Sequence, residues 1–262
     1  MRENPVKRAL AGGSVALGTM VFEFNTTGIA RAAAAAGAEF AVFDMEHTGW
    51  SVETIRGLVA TAGGSGLVPM VRVPATQYHL IARPLDMGVM GVMVPNVESE
   101  EQARAIVRSA KFPPQGARGA GFGLAHDDYR SGDPLATMRT ANDELLLIAQ
   151  IESVRGVDSA ERIAAVQGID VLWVGHFDLT NSMGIPTQFD HPDYLHAVER
   201  VVAACRASAK AAGFMASDVE SAKQALARGF RILAYWGDVW LYQQALRSGL
   251  EGIRAHLAAR GG

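Results

Sequence analysis

A (β/α)8 TIM barrel is the fold class this sequence predicts, and three observations predict it. Short apolar runs ending on polar residues alternate with helical segments along the whole chain. Eight such units in roughly 250 residues is the arithmetic of a closed barrel with right-handed crossovers. The competing open, doubly wound sheet wants a glycine fingerprint directly after an early strand, and none is present.

The elements follow in order. An apolar run from Ala9 to Phe24, broken by Gly12, Gly13 and Gly18, reads as a first strand centred on 14–19. An alanine-rich helix over 27–36 is stopped by Gly37, and a strand over 39–43 runs into Asp44. Ser51 caps a helix to about Ala62, since a serine side chain accepts from the first free amides; the strand 67–73 then carries Arg72. A helix from Gln77, disturbed by Pro84, closes near Gly88 before the strand 89–94. Residues 99–111 pass from acidic to basic in the sense the helix dipole favours. A glycine-rich stretch, 113–123, opens a long connection to the strand 144–150, and loops of that length tend to be functional. A helix over 155–166, the strand 170–174, a long amphipathic helix over 192–212, the strand 214–216, a helix over 218–228 and the strand 230–235 complete the alternation, and 239–259 closes the chain as one or two helices. The whole of 1–262 reads as a single domain.

Bulk properties exclude several classes. With 49% hydrophobic and 19% charged residues the composition is that of an ordinary globular domain. A net charge of −3 gives no footprint for nucleic acid. The single Cys205 forbids an internal disulfide framework. No stretch is long and apolar enough to span a membrane, and the early apolar run lacks a cleavage site. A soluble, cytoplasmic protein is the expectation.

In a barrel the active site lies at the carboxyl ends of the strands. Those ends carry Asp44, Glu46 and His47; Arg72; Asn96; Gln150 and Glu152; His176 and Asp178; Ser217 and Asp218; Gly237 and Asp238. Glu152 and Asp178 each follow an apolar strand and are separated by one helix length. Acids at strand ends also serve as helix caps, but this pair, with polar Gln150 beside it, suits a hard divalent cation. His47 is the best general base, because an imidazole titrates near neutrality. Arg72 has the fork geometry to neutralise an oxyanion or carboxylate. The four lysines, Lys7, Lys111, Lys210 and Lys223, all miss the strand ends, which argues against Schiff-base chemistry and for a Lewis-acid metal. The 116–123 loop is open to three readings: a phosphate cradle, a lid or a subunit contact.

Taken together, Phe43-Asp44-Met45-Glu46-His47, Val71-Arg72-Val73-Pro74, Val94-Pro95, the Phe112–Gly119 loop, Gln150-Ile151-Glu152 and Gly175-His176-Phe177-Asp178-Leu179-Thr180 leading to Met183-Gly184 resemble the class II, metal-dependent 2-oxo-acid aldolases of the HpcH/HpaI family. The resemblance implies reversible cleavage of a 4-hydroxy-2-oxo acid to pyruvate or hydroxypyruvate and an aldehyde through a metal-stabilised enolate. Glu152 and Asp178 would ligate the divalent metal (Mg²⁺, Mn²⁺ or Co²⁺), and Gln150 with the backbone at Phe177 and Asp178 would hold the pyruvyl group. Arg72 would stabilise the enolate oxygen, His47 would act as acid and base, and Asp86 would raise the basicity of that histidine. The same likeness implies a homo-oligomer, trimer or hexamer, with 239–259 packed on a neighbouring subunit. Two positions depart from the pattern: His176 stands where proline is usual and Thr180 where serine is. The imidazole either binds water or substrate or points outward, and outward is the expectation. Trp50, where smaller residues are common, is a candidate wall of the aldehyde pocket. A CoA-thioester lyase of the citrate-lyase-like branch is the alternative, with Arg118 and Arg130 as the basic residues near the loop; a non-catalytic binding barrel is the second.

Overall fold

The computed structural model describes residues 2–130 and 132–260. Eight parallel strands close in sequence order into a barrel: β1 (Ala16–Val21), β2 (Phe40–Asp44), β3 (Val68–Arg72), β4 (Gly91–Val94), β5 (Leu146–Ile151), β6 (Val171–Val174), β7 (Ala211–Ala216) and β8 (Ile232–Gly237). Around them run α1 (Pro5–Ala11), α2 (Ile29–Ala35), α3 (Val52–Ala62), α4 (Tyr78–Asp86), α5 (Glu100–Ala110), α6 (Pro134–Glu144), α7 (Val154–Asp158), α8 (Ala160–Ala165), α9 (His176–Ser182), α10 (Pro192–Ala207), α11 (Val219–Arg228) and α12 (Asp238–Arg260). The predicted (β/α)8 class is the observed one.

Period-two alternation divides the strand residues between two cores. One set, with Ala41, Phe43, Val71, Val92 and Leu172, packs outward against the helices. The other, with Met20, Phe40, Val42, Met70, Met93, Ile148 and Trp173, fills the barrel interior. Each fully buried side chain of this size stabilises by about 1.5–3 kcal/mol, so the lower interior can offset polar residues held at its upper end. Those residues continue the same inward-facing columns: Asp44 above Val42, Arg72 above Met70, Gln150 and Glu152 above Ile148.

Several boundaries differ from expectation. The apolar run ahead of β1 is split: α1 occupies its first part, Gly13 turns the chain at φ +82°, and β1 starts only at Ala16. Asn4 caps α1 and anchors it through Nδ2 to the carbonyls of Met90 and Glu144, both at 3.0 Å, so Val6 and Leu10 plug the lower end of the barrel. The long connection before β5 holds α6, begun by Asp133, whose carboxylate accepts from Leu135 N and Ala136 N, with Pro134 at the first helical position. Glu144, expected to start the strand, ends that helix instead. The 155–166 helix is two short helices meeting at Ser159. The long helix stops at Ala207 rather than Ala212, because Ala209 adopts φ +54° and Ala211 N donates to Asp170 O to begin β7. The segment after β6, unassigned from sequence, forms α9.

The closing segment is a single helix, α12, and among its described residues only Asp238 is buried. It touches β1 and β8 at its start and then leaves the barrel, exposing Tyr242, Leu246, Leu250, Ile253 and Leu257 along one side. Where an eighth helix would lie, an apolar groove of about 440 Å³ stays open over the β8–β1 seam, lined by Leu17, Phe24, Ile29, Ala33, Tyr235 and Leu241. No described helix is long and apolar enough to cross a membrane.

Candidate active site

The register between β2 and β3 sets Asp44 beside Arg72, and this pair organises one side of the barrel mouth. Asp44 is fully buried and takes Arg72 Nε at 2.5 Å. The same carboxylate accepts from the backbone of His47 at 2.9 Å and of Glu46 at 3.3 Å, which folds the β2–α3 loop over the strand end. Glu46 Oε2 stands 3.2 Å from Arg72 Nη1 and 3.7 Å from His47 Nε2. The first is a close ion pair in distance but not in angle, so this oxygen lacks a hydrogen bond. Burial holds the Glu46 carboxyl above its ordinary range, with the Arg72 charge opposing that rise. The His47 side chain is 58% exposed, open to an incoming ligand.

Across the mouth, β5 delivers Gln150 and Glu152, both buried. Glu152 Oε1 accepts from Asn96 N at 2.6 Å and Oε2 from Gln150 Nε2 at 2.6 Å. Asn96 reaches it from a left-handed turn, φ +53°, at the end of β4. Burial pushes Glu152 up to about 7, and the neighbouring charges of Glu46 and Asp178 push the same way. Gln150 Oε1 is buried without a partner, although a buried amide oxygen left alone costs free energy. Asp178 lies in the first turn of α9 and is exposed at the mouth. Between the β5 and β6 ends, Gly175 supplies space: a Cβ there would stand 2.5 Å from Glu152 Oε2 and 2.8 Å from Gln150 Nε2.

These donors fit a hard divalent cation. Two carboxylates and an unpartnered amide oxygen are oxygen ligands of the type Mg²⁺ and Mn²⁺ take, and such ions keep waters or substrate oxygens for the remaining positions. Among the described residues no group of three or more His, Cys, Asp or Glu is arranged to hold a metal, so Glu152 and Asp178 would be the only carboxylate ligands.

The other residues singled out from sequence fall as follows. Phe177 is 51% exposed at the α9 start, where first-turn amides have no intrahelical acceptor. His176 packs among Phe177, Phe214 and Phe189 at ring separations of 4.6, 5.0 and 5.3 Å, facing a slot of about 250 Å³ between α10 and α11. Burial there pushes its imidazole down to about 4, so it is neutral and part of an aromatic cluster. Thr180 Oγ1 bonds Phe177 O at 2.9 Å, steadying the turn. Asp86 is paired with Arg118 Nη2 at 2.6 Å and not with His47. Arg118 is buried, its guanidinium 4.6 Å from the Phe112 ring centroid. Trp50 packs on the outer core layer. Sequence reasoning gave no role to Asp44 or Glu46, and nothing in the sequence marks Asn96 as an amide donor.

Comparison with known proteins identifies the family. Residues 19–245 match the model of the family described as HpcH/HpaI aldolase/citrate lyase. The chain belongs to the HpcH/HpaI family. As a member it is a carbon–carbon lyase. Among its relatives are a 2-keto-3-deoxy-L-rhamnonate aldolase of Klebsiella pneumoniae, 35% identical over 93% of this chain and 90% of that one, and a hydroxypyruvate/pyruvate aldolase of Delftia acidovorans, 36% identical over 96% and 93%. The solved HpcH/HpaI aldolase of Desulfitobacterium hafniense superposes with a TM-score of 0.91 at 34% identity, covering 95% of this chain and 96% of that one.

Proposed function

We propose that this HpcH/HpaI member is a divalent-metal-dependent aldolase that reversibly cleaves a 4-hydroxy-2-oxo acid to pyruvate or hydroxypyruvate and an aldehyde. The observation that carries the reading is the buried Glu152–Gln150 pair: a carboxyl held up to about 7 beside an amide oxygen with no partner. Both anomalies are relieved by a cation held between Glu152 and Asp178. When bound, the cation supplies Lewis-acid stabilisation of charge developing at the C2 oxygen of the oxo acid.

The chain's own residues do the rest. Gln150 orients the pyruvyl group, and the N–H groups of Phe177 and Asp178 receive its carboxylate. Arg72, fixed by Asp44, presents positive charge to the oxygen that becomes anionic, a preorganised arrangement needing no rearrangement during reaction. His47 Nε2 takes the proton from the C4 hydroxyl as the C3–C4 bond breaks and delivers it to C3 of the three-carbon fragment to give pyruvate; in condensation it removes the C3 proton and returns one to the new C4 hydroxyl. Glu46, 3.7 Å from that nitrogen, is the carboxylate that supports the protonated imidazole within one subunit. Asp86, held by Arg118, is placed to act on the loop rather than on the histidine of its own subunit.

The CoA-lyase alternative is weaker, because Arg118 is spent on Asp86 and Phe112 and only Arg130 stays at the surface. We also assign the assembly to α12: its apolar stripe fits the groove over the β8–β1 seam of a second copy, giving a homo-oligomer, trimer or hexamer. The deciding experiment is a panel of 4-hydroxy-2-oxo acids assayed for pyruvate or hydroxypyruvate release with Mn²⁺ or Mg²⁺. Activity abolished by EDTA and restored by added metal is expected; activity that survives EDTA unchanged overturns the metal reading.

A further inference from the structure

One side chain holds the turn between β1 and α2. Asp238, buried at the junction of β8 and α12, accepts from three consecutive backbone amides. Phe22 N reaches Oδ1 at 2.8 Å, while Glu23 N and Phe24 N reach Oδ2 at 3.1 and 2.7 Å. Three donors on one carboxylate satisfy amides that no secondary structure would otherwise use, and they tie the first barrel loop to the last strand.

The clasp decides where Phe22 sits. Its ring lies 5.8 Å from the Arg72 guanidinium, within cation–π range. The same ring packs on Trp240, 4.9 Å between centroids. Gly237 makes that approach possible: a Cβ there would stand 2.7 Å from the Phe22 ring and 2.8 Å from Trp240. Its role is space, because its φ is not in the left-handed range. Arg72 already has Nε on Asp44 and Nη1 beside Glu46, so the aromatic ring limits the motion the guanidinium has left and shields it from water.

We propose that Asp238 is a positioning residue for Arg72: by clasping the β1–α2 turn it seats Phe22 against the guanidinium that faces the oxo acid. The inference rests on the aldolase reading for its catalytic consequence, and on the clasp geometry alone for its structural one. A charge in a shielded place acts more strongly than one in water, and small misplacements of a positioning group are costly.

Asp238→Asn keeps one acceptor oxygen but turns an amide donor toward donors, and Phe22→Leu keeps the apolar bulk without the ring. The full-length protein with Mn²⁺ is assayed for exchange of the pyruvate C3 protons with deuterium, a half-reaction needing no aldehyde. Each variant is expected to lower kcat for exchange about tenfold with KM for pyruvate within about twofold, and the double variant to be no slower than the slower single one, as for groups acting as a unit. An unchanged kcat in either variant, or losses that multiply in the double variant, overturns the proposal. A structural readout runs in parallel on the metal-free protein, where the Arg72 Nε–H resonance is expected to carry a ring-current shift that both variants abolish; a shift unchanged in Asp238→Asn also overturns it. If Asp238→Asn fails to fold, Phe22→Leu decides by both measures. Wild-type protein that shows the ring-current shift but exchanges no pyruvate protons refutes the aldolase reading and leaves the clasp standing.

Discussion

Replacing Glu152 by glutamine should make the metal-free protein more stable. The carboxyl titrates near 7 instead of its ordinary 4.5, chiefly because it is buried. At about 1.36 kcal/mol per unit, the ionised form costs the fold about 3 kcal/mol relative to a normally titrating carboxyl. Between pH 4.5 and 7 the native state holds a proton that the unfolded chain has lost, so stability falls as pH rises through that window and the full cost applies above it. In Glu152→Gln the amide oxygen still accepts from Asn96 N, and Gln150 can turn its unpartnered Oε1 toward the new NH2 group. Urea unfolding in EDTA at pH 5 and pH 8 measures the effect. Wild type should lose up to about 3 kcal/mol more than the variant between the two pH values. With Mn²⁺ the order should reverse, since only wild type is stabilised by a cation bound to the native state. Equal pH dependence in the two proteins would refute the argument that Glu152 is held in an unfavourable charged state awaiting a cation.

His47→Ala should lower pyruvate C3 proton exchange by at least about 10²-fold with the fold intact by circular dichroism; a negligible loss moves the base elsewhere. His176→Phe should leave aldolase turnover at pH 7.5 unchanged and flatten acid unfolding: the wild-type imidazole, depressed to about 4, costs up to about 3 kcal/mol as pH falls from 6.5 toward 4, where the unfolded chain binds the proton first. An acid transition identical in the two proteins refutes the neutral aromatic placement. Leu246→Asp with Leu250→Asp, on the exposed stripe of α12, should reduce the mass by light scattering to that of a monomer, and an unchanged mass refutes the assembly through α12.

The outline of the barrel was legible in the sequence because each βα unit announces itself locally, in glycine stops, serine caps and apolar runs. Glu152 and Asp178 stood out as candidates for the same reason, as acids following apolar strand runs, and the structure places the first just past β5 and the second in the first turn of α9. What local patterns cannot give is register. Asp44 organises the mouth because it lies across from Arg72, 28 residues away, and neither residue's neighbours reveal that pairing. Asp86 illustrates the limit from the other side: its partner, Arg118, comes from a loop whose path depends on the packing of Phe112. The α6 helix did carry a local signal, Asp133 before Pro134, which a glycine-rich approach to it obscured. The short α9 carried almost none, since Gly175 offers no side-chain cap.

Gly175 and His176 pose opposite conditions on how this sequence can drift. At position 175 even one methyl group would overlap the Glu152 carboxylate, so the codon is closed to every other residue by volume alone. The next codon faces the aromatic slot, where side chains are weighed only by how well they pack. A library randomised across both should return a single residue at the first and a spectrum of apolar and aromatic residues at the second. An active-site motif can thus hold a fixed letter and a free one side by side, and a departure from its usual spelling at 176 says nothing against the chemistry next door.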